Sequence, residues 1–332
     1  MTGFLRLIRI PNLIIIALTM LAVRYGIVQT LWERAAYDFL QAGFYPQNFK
    51  LHFGRFHFGL LVISTLCIAA AGYIINDYFD TKTDHINKPD RVVVGREISR
   101  GRAILLHMVL SGIGLALAAW VCWDIRQMKL LLFQILSIGA LWAYSAWLKK
   151  QMLAGNILIA LLAALVPVMT GIFEFQGGTL TSLEIMNLNV PESGSAMLKQ
   201  GAILVLGYAL FAFLSNLIRE IVKDLEDVEG DIELGCKTLP IVAGEVQARY
   251  IAMAITVFTG ILLGLIIQVL FSAHMTGMAI YLIAAVMLPL LLITILLWNA
   301  WEKRHYTRIS WLVKLIIVTG IGSMPVFALT TL

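Results

Sequence analysis

Stretches of about 20 mostly apolar residues recur along the chain, each long enough to cross a bilayer as a helix. They fall at roughly 10–30, 56–78, 102–123, 130–148, 153–173, 200–222, 248–270, 274–299 and 309–330. This pattern predicts an all-α fold, a polytopic membrane bundle of nine transmembrane helices. Two connections are long, 31–55 and 174–199. Both mix polar with aromatic residues and fall on the same side, where they are expected to lie at the interface or form a cap. The first apolar run runs on into "RYGIVQTLW" rather than a small-residue cleavage site, so it is expected to be a retained span.

Two polar segments break the pattern, because they place acids at the ends of membrane-grade runs. "NDYFDTKTDHINKPDR" (76–91) follows the second run, and "REIVKDLEDVEGDIELGCKTLP" (219–240) ends the sixth. On a helix, residues three and four apart share a face. Asn76, Asp80 and Asp84 are spaced i, i+4, i+8, with Asp77 beside that face; Asp224, Asp227 and Asp231 are spaced i, i+3, i+7. Asp77, Asp80 and Asp84 repeat the same three-then-four spacing. Gly230 is expected to end the second helix and leave Asp231 in a loop.

Composition agrees with a membrane protein. The chain of 332 residues is 60% hydrophobic and 14% charged, and its mean hydropathy is +0.85. A soluble domain carries about 25% charged residues. The net charge of +5 does not point to nucleic acid, because its distribution follows membrane topology. Of 25 Lys and Arg, 17 lie on the side of the N-terminus and the even-numbered loops and seven on the other, with Lys314 inside the last span. That bias makes the first side cytoplasmic, and both acidic stretches are on it. Cys67, Cys122 and Cys236 are scattered without disulfide or zinc spacing. The dispersed histidines form no nucleophile or metal set, and no nucleotide-binding glycine loop is present.

One acidic cluster is commonly a solvated helix flank. Two of matching spacing on one side would repel each other unless a cation lay between them. Carboxylate and amide oxygens suit hard cations, and Mg²⁺ is characteristically shared between one or two carboxylates and substrate phosphates. Acidic helix ends facing each other across a cavity, under apolar spans, suit a diphosphate with a hydrocarbon tail. A transporter would instead carry its carboxylates near the bilayer midplane.

At these residues the sequence resembles the UbiA-type intramembrane prenyltransferases. The family pattern N-D-x-x-D-x-x-x-D is matched by Asn76, Asp77, Asp80 and Asp84, and its D-x-x-x-D by Asp227 and Asp231. "DHINKPDR" is similar to the D-x-I-N-K-P-x-R of geranylgeranylglycerol-phosphate geranylgeranyltransferases, one branch of that family, although Val92 follows Arg91 where the family often has proline. The resemblance implies a single membrane domain over 1–332, nine helices around a central cavity, and a site opening to the cytoplasmic side of the cell inner membrane. It implies Mg²⁺-dependent transfer of a prenyl group, expected to be geranylgeranyl, from an isoprenyl diphosphate to a geranylgeranylglyceryl phosphate-like lipid. An aromatic acceptor of quinone or chlorophyll-type pathways is the alternative.

The implied metal ligands are Asn76, Asp80, Asp84, Asp227 and Asp231, with Asp77 and Asp224 as further ligands or orienting groups. Asp77 is also a candidate base. Arg91 and Lys149 are implied to bind the diphosphate, and Lys88 and Lys223 the diphosphate or a phosphorylated acceptor. Asn12 and Tyr144 complete the expected substrate contacts, Tyr144 as an aromatic face for the allylic cation.

Overall fold

The computed structural model describes residues 2–41, 53–87, 92–175 and 192–331. Among the described residues nine helices are long and apolar enough to cross a membrane. They are α1 (Ile10–Tyr37), α2 (Arg55–Asn87), α3 (Arg100–Asp124), α4 (Met128–Ala146), α5 (Ala154–Glu174), α6 (Glu192–Glu226), α7 (Glu245–Ser272), α8 (Thr276–Trp298) and α9 (Lys303–Thr331).

The helices outrun the apolar stretches that define them. α1 continues through Tyr37 into the connection expected at 31–55, where "LWERAAYDF" holds no glycine or proline to stop it. Trp32 and Ala35 of that extension are buried. Likewise α6 begins at Glu192, inside the connection expected at 174–199, and α9 begins at Lys303 rather than 309. The remainder of the two long connections, 42–52 and 176–191, lies outside the described residues.

Close approaches hold α2 against its neighbours. A Cβ on Gly72 would come within 2.8 Å of Leu141 on α4, and one on Gly114 of α3 within 2.9 Å of the Ser64 carbonyl oxygen. Ser64 Oγ donates to the Gly114 carbonyl at 2.6 Å. In the second half, α6, α7, α8 and α9 share one apolar core that includes Ile221, Ala252, Ile293 and Ile316.

An ion pair locks the bundle away from the acidic stretches. A π-helical segment, Ala22–Val28, interrupts α1 and buries Arg24. Arg24 Nη1 lies 2.5 Å from Glu174 Oε1 at the end of α5, and Nη2 donates to the Phe53 carbonyl at 2.7 Å. The guanidinium also packs over the Phe58 ring, 4.6 Å from its centroid.

The second acidic stretch departs from expectation. α6 ends at Glu226, and Asp227 leaves helical geometry to start a short helix, Val228–Glu233. Gly230 is buried inside that helix and Asp231 lies in its first turn. Gly235 ends the segment instead, with φ 66, a left-handed conformation that glycine adopts without strain.

Candidate functional site

The ends of α2, α4 and α6 and the starts of α1, α5 and α9 meet on one side of the bundle. Between them lies a cavity of about 1060 Å³. Its polar end is lined by Arg9, Asn12, Asn76, Asp77, Asp80, Tyr144, Lys149, Arg219, Glu220, Lys223, Asp224, Asp227 and Asp231. Both acidic stretches therefore face one space. Deeper in the bundle the lining turns apolar, with Ile16, Ile68, Leu162, Val166, Met169, Phe211 and Met324, and Gln134 is a polar exception. From Thr65 to Asp80 the lining face of α2 is about 22 Å long, at 1.5 Å per residue.

The first stretch forms a tight cluster with a cation already in it. Asn76 Nδ2 donates to Asp80 Oδ2 at 2.9 Å, as the i, i+4 spacing anticipates. Lys149 Nζ lies 2.5 Å from Asp80 Oδ1 and 3.5 Å from Asn76 Oδ1. Lys149 reaches this point because α4 gives way to a 3₁₀ turn, Leu148–Lys150. Gly155 lets that turn pack closely: a Cβ there would lie 2.7 Å from the Lys149 Cα.

Asp77 points to a different partner, Arg9, whose Nη2 is 2.6 Å from Asp77 Oδ1. Arg9 sits at φ 52 between the Thr2–Leu7 helix and α1, and its guanidinium lies over Tyr73. Such pairing fixes the Asp77 carboxylate at the cavity wall. Asp224 Oδ2 accepts from Asn156 Nδ2 at 2.7 Å. Glu220 is held by Arg219 at 3.1 Å and Lys223 at 2.8 Å. The second stretch is tied to the Lys149 turn through its backbone, the Lys237 amide donating to the Lys150 carbonyl at 2.7 Å. Beside it the Cys236 thiol is pushed up from its ordinary pKa, first by burial and then by the charge of Asp231, so it is no ready nucleophile.

The oxygen donors fit a hard cation in their chemistry. Asn76, Asp80, Asp227 and Asp231 offer amide and carboxylate oxygens to one cavity, and the Lys149 ammonium is a stand-in cation between Asp80 and Asn76. Among the described residues no three His, Cys, Asp or Glu side chains close on a point as a metal cage. Lys88, Arg91 and the side chain of Asp84 lie outside the described residues.

The UbiA prenyltransferase family model matches residues 39–318. The chain belongs to this family. Similar proteins include the digeranylgeranylglyceryl phosphate synthase of Sulfurisphaera tokodaii, 32% identical over 80% of this chain and 86% of that one. The synthase of the same name from Sulfolobus acidocaldarius is 30% identical over 99% and 98%. The fold resembles that of a digeranylgeranylglyceryl phosphate synthase structure, with a TM-score of 0.64 at 23% identity over 98% of both chains. It also resembles a UbiA homologue from Archaeoglobus fulgidus bound to GPP and Mg²⁺, with a TM-score of 0.57 at 20% identity over 97% and 99%. As a UbiA-family member the chain is an integral membrane prenyltransferase.

Several cavity residues escaped the sequence analysis. Arg9, Arg219, Asn156 and Lys314 all reach the polar end or its partners. Of these, only Lys314 carried a legible signal, a charge inside an apolar span.

Proposed function

We propose that the protein transfers a geranylgeranyl group from its diphosphate to a geranylgeranylglyceryl phosphate-like lipid, with Mg²⁺, at a site opening to the cytoplasmic side of the cell inner membrane. The observation that carries this is one cavity with acids and cations at its mouth and an apolar depth. The names of the curated relatives support the acceptor. The bias of Lys and Arg toward the acidic side supports the orientation.

Asn76, Asp80, Asp84, Asp227 and Asp231 would hold the metal. When bound, Mg²⁺ supplies positive charge that stabilises the departing diphosphate. Lys149 then exchanges Asp80 for a diphosphate oxygen, and Arg91 and Lys223 add charge around the same group. As the allylic carbon–oxygen bond breaks, the Tyr144 and Tyr73 rings face the developing cation. The apolar walls keep water from it. The glyceryl hydroxyl oxygen forms the new carbon–oxygen bond as the bond to diphosphate breaks, and its proton passes to the departing diphosphate. Asp77, fixed by Arg9, orients the acceptor.

Purified protein with Mg²⁺ and labelled geranylgeranyl diphosphate would be offered geranylgeranylglyceryl phosphate, dihydroxynaphthoate, hydroxybenzoate and homogentisate, with Asp80→Asn as control. Label is expected on the glyceryl phosphate lipid and lost in the variant. Transfer to an aromatic acid instead would overturn the acceptor and keep the site. Transfer undiminished in Asp80→Asn would overturn the site.

A further inference from the structure

Residues 309–331 of α9 hold a single charged side chain, Lys314. At 1.5 Å per residue it lies about 16 Å along the helix from Lys303. A lone cation at such depth is costly and calls for a partner. The one it has is neutral: Lys314 Nζ donates to Asn12 Oδ1 at 3.0 Å. A second cation, Arg219, lines the same cavity. Among the described residues Lys314 makes no ion pair with a carboxylate.

The surrounding wall has surplus positive charge. Arg219 and Lys223 share one carboxylate, Glu220, and Asp224 faces Asn156. Ser310 and Thr307, one and two turns before Lys314, line the same cavity and add hydroxyl groups. Arg219 lies seven residues before Glu226, where α6 ends, about 10 Å along the helix axis, so this patch belongs to the same polar end but sits about two turns deeper than Asp227. It is also near the lipid. Trp311 lines the cavity while 67% exposed on the bundle's outer face, and Lys314 Nζ lies 5.6 Å from its ring centroid.

We propose that Lys314 and Arg219, with Asn12 holding Lys314 in place, bind the phosphate monoester of the acceptor lipid. The inference rests on the proposed function and deepens it. Two clustered cations beside hydroxyl groups suit a phosphate, whose oxygens accept charge-assisted hydrogen bonds. They give an aromatic acceptor no comparable reason to bind. The acceptor would lie with its phosphate at α9, its hydroxyl toward Asp77 and Tyr144, and its hydrocarbon chain toward Trp311 and the bilayer.

The test compares geranylgeranylglyceryl phosphate with the neutral geranylgeranylglycerol in the wild type, Lys314→Met, Lys314→Arg and Arg219→Gln. The readout is the ratio of kcat/KM for the phosphorylated over the neutral acceptor. It is expected to fall at least about tenfold in Lys314→Met and Arg219→Gln and to recover in Lys314→Arg. The KM for geranylgeranyl diphosphate should move far less. An unchanged ratio in Lys314→Met, with the wild type active on the phosphorylated lipid, overturns the inference and leaves the proposed function standing. A rise confined to the KM of the diphosphate donor assigns the patch to the donor and also overturns it. Wild-type protein that transfers to neither lipid overturns the proposed function and this inference together. If Lys314→Met does not fold, Arg219→Gln and the equilibrium binding of the two acceptors to wild-type protein decide the question, the phosphorylated one being expected to bind at least about tenfold tighter.

Discussion

Lys149 holds the place between Asp80 and Asn76 that a metal ion would share, and replacing it separates two effects of opposite sign. Both partners are largely shielded, with side-chain exposures of 11% for Lys149 and 19% for Asp80. At an effective dielectric constant near 20, opposite charges about 4 Å apart attract by roughly 4 kcal/mol, and closer ones by more. Desolvation offsets much of this, so a charge-assisted bond contributes about 1.5–3 kcal/mol net. Mg²⁺ must displace that bond to reach Asp80. Lys149→Met should therefore bind Mg²⁺ alone about 10- to 100-fold more tightly, since 1.4 kcal/mol is tenfold. The same variant loses the cation that would move onto the diphosphate, so kcat/KM for transfer should fall by about 10- to 100-fold. Calorimetric Mg²⁺ titration and steady-state transfer measure the two sides. A Lys149→Met protein with unchanged Mg²⁺ affinity and unchanged kinetics would show that Lys149 is only a membrane-flanking charge. Weaker Mg²⁺ binding would refute the displacement.

Gly155→Ala places a methyl group 2.7 Å from the Lys149 Cα. It should cost about 1–3 kcal/mol of stability, seen as a lower melting temperature, and lower transfer by shifting the Lys149 turn. Asp231→Asn should lower turnover at least about 100-fold and abolish the Mg²⁺-dependent rise in melting temperature given by geranylgeranyl diphosphate. Arg24→Met strands Glu174 in the interior and should destabilise by about 3–5 kcal/mol. Arg24→Met with Glu174→Leu should recover much of that loss, and neither should change the KM values, because neither residue lines the cavity. A double-mutant cycle read by thermal unfolding checks this pair.

The periodicity of apolar residues was enough to determine the all-α bundle and its nine spans, because a chain in lipid must satisfy its backbone within helices of bilayer length. The spacing of Asn76, Asp80 and Asp84 determined a shared helix face, since it depends only on 3.6 residues per turn. The motifs themselves carried the family. Helix ends were less legible: α1 runs beyond its apolar stretch because no glycine or proline stops it, α6 begins before its own and runs through Gly194, and hydropathy does not register a helix that continues into the interface. Gly230 illustrates the limit. A glycine can end a helix or pack inside one, and only its neighbours determine that it is buried here while Gly235 makes the turn.

Partnership was the province of tertiary structure. Nothing in the spacing of Asp77 and Asp80 says that Arg9 takes one and Lys149 the other, because those cations arrive from α1 and the α4–α5 turn. Lys314 and Asn12 are 302 residues apart, and their contact exists only because α9 closes against α1. Sequence determined which chemical groups were available and that both acidic stretches share one end of the bundle. Packing decided which charges neutralise one another and which remain for a substrate, because electrostatic interactions depend on distance and burial rather than order along the chain.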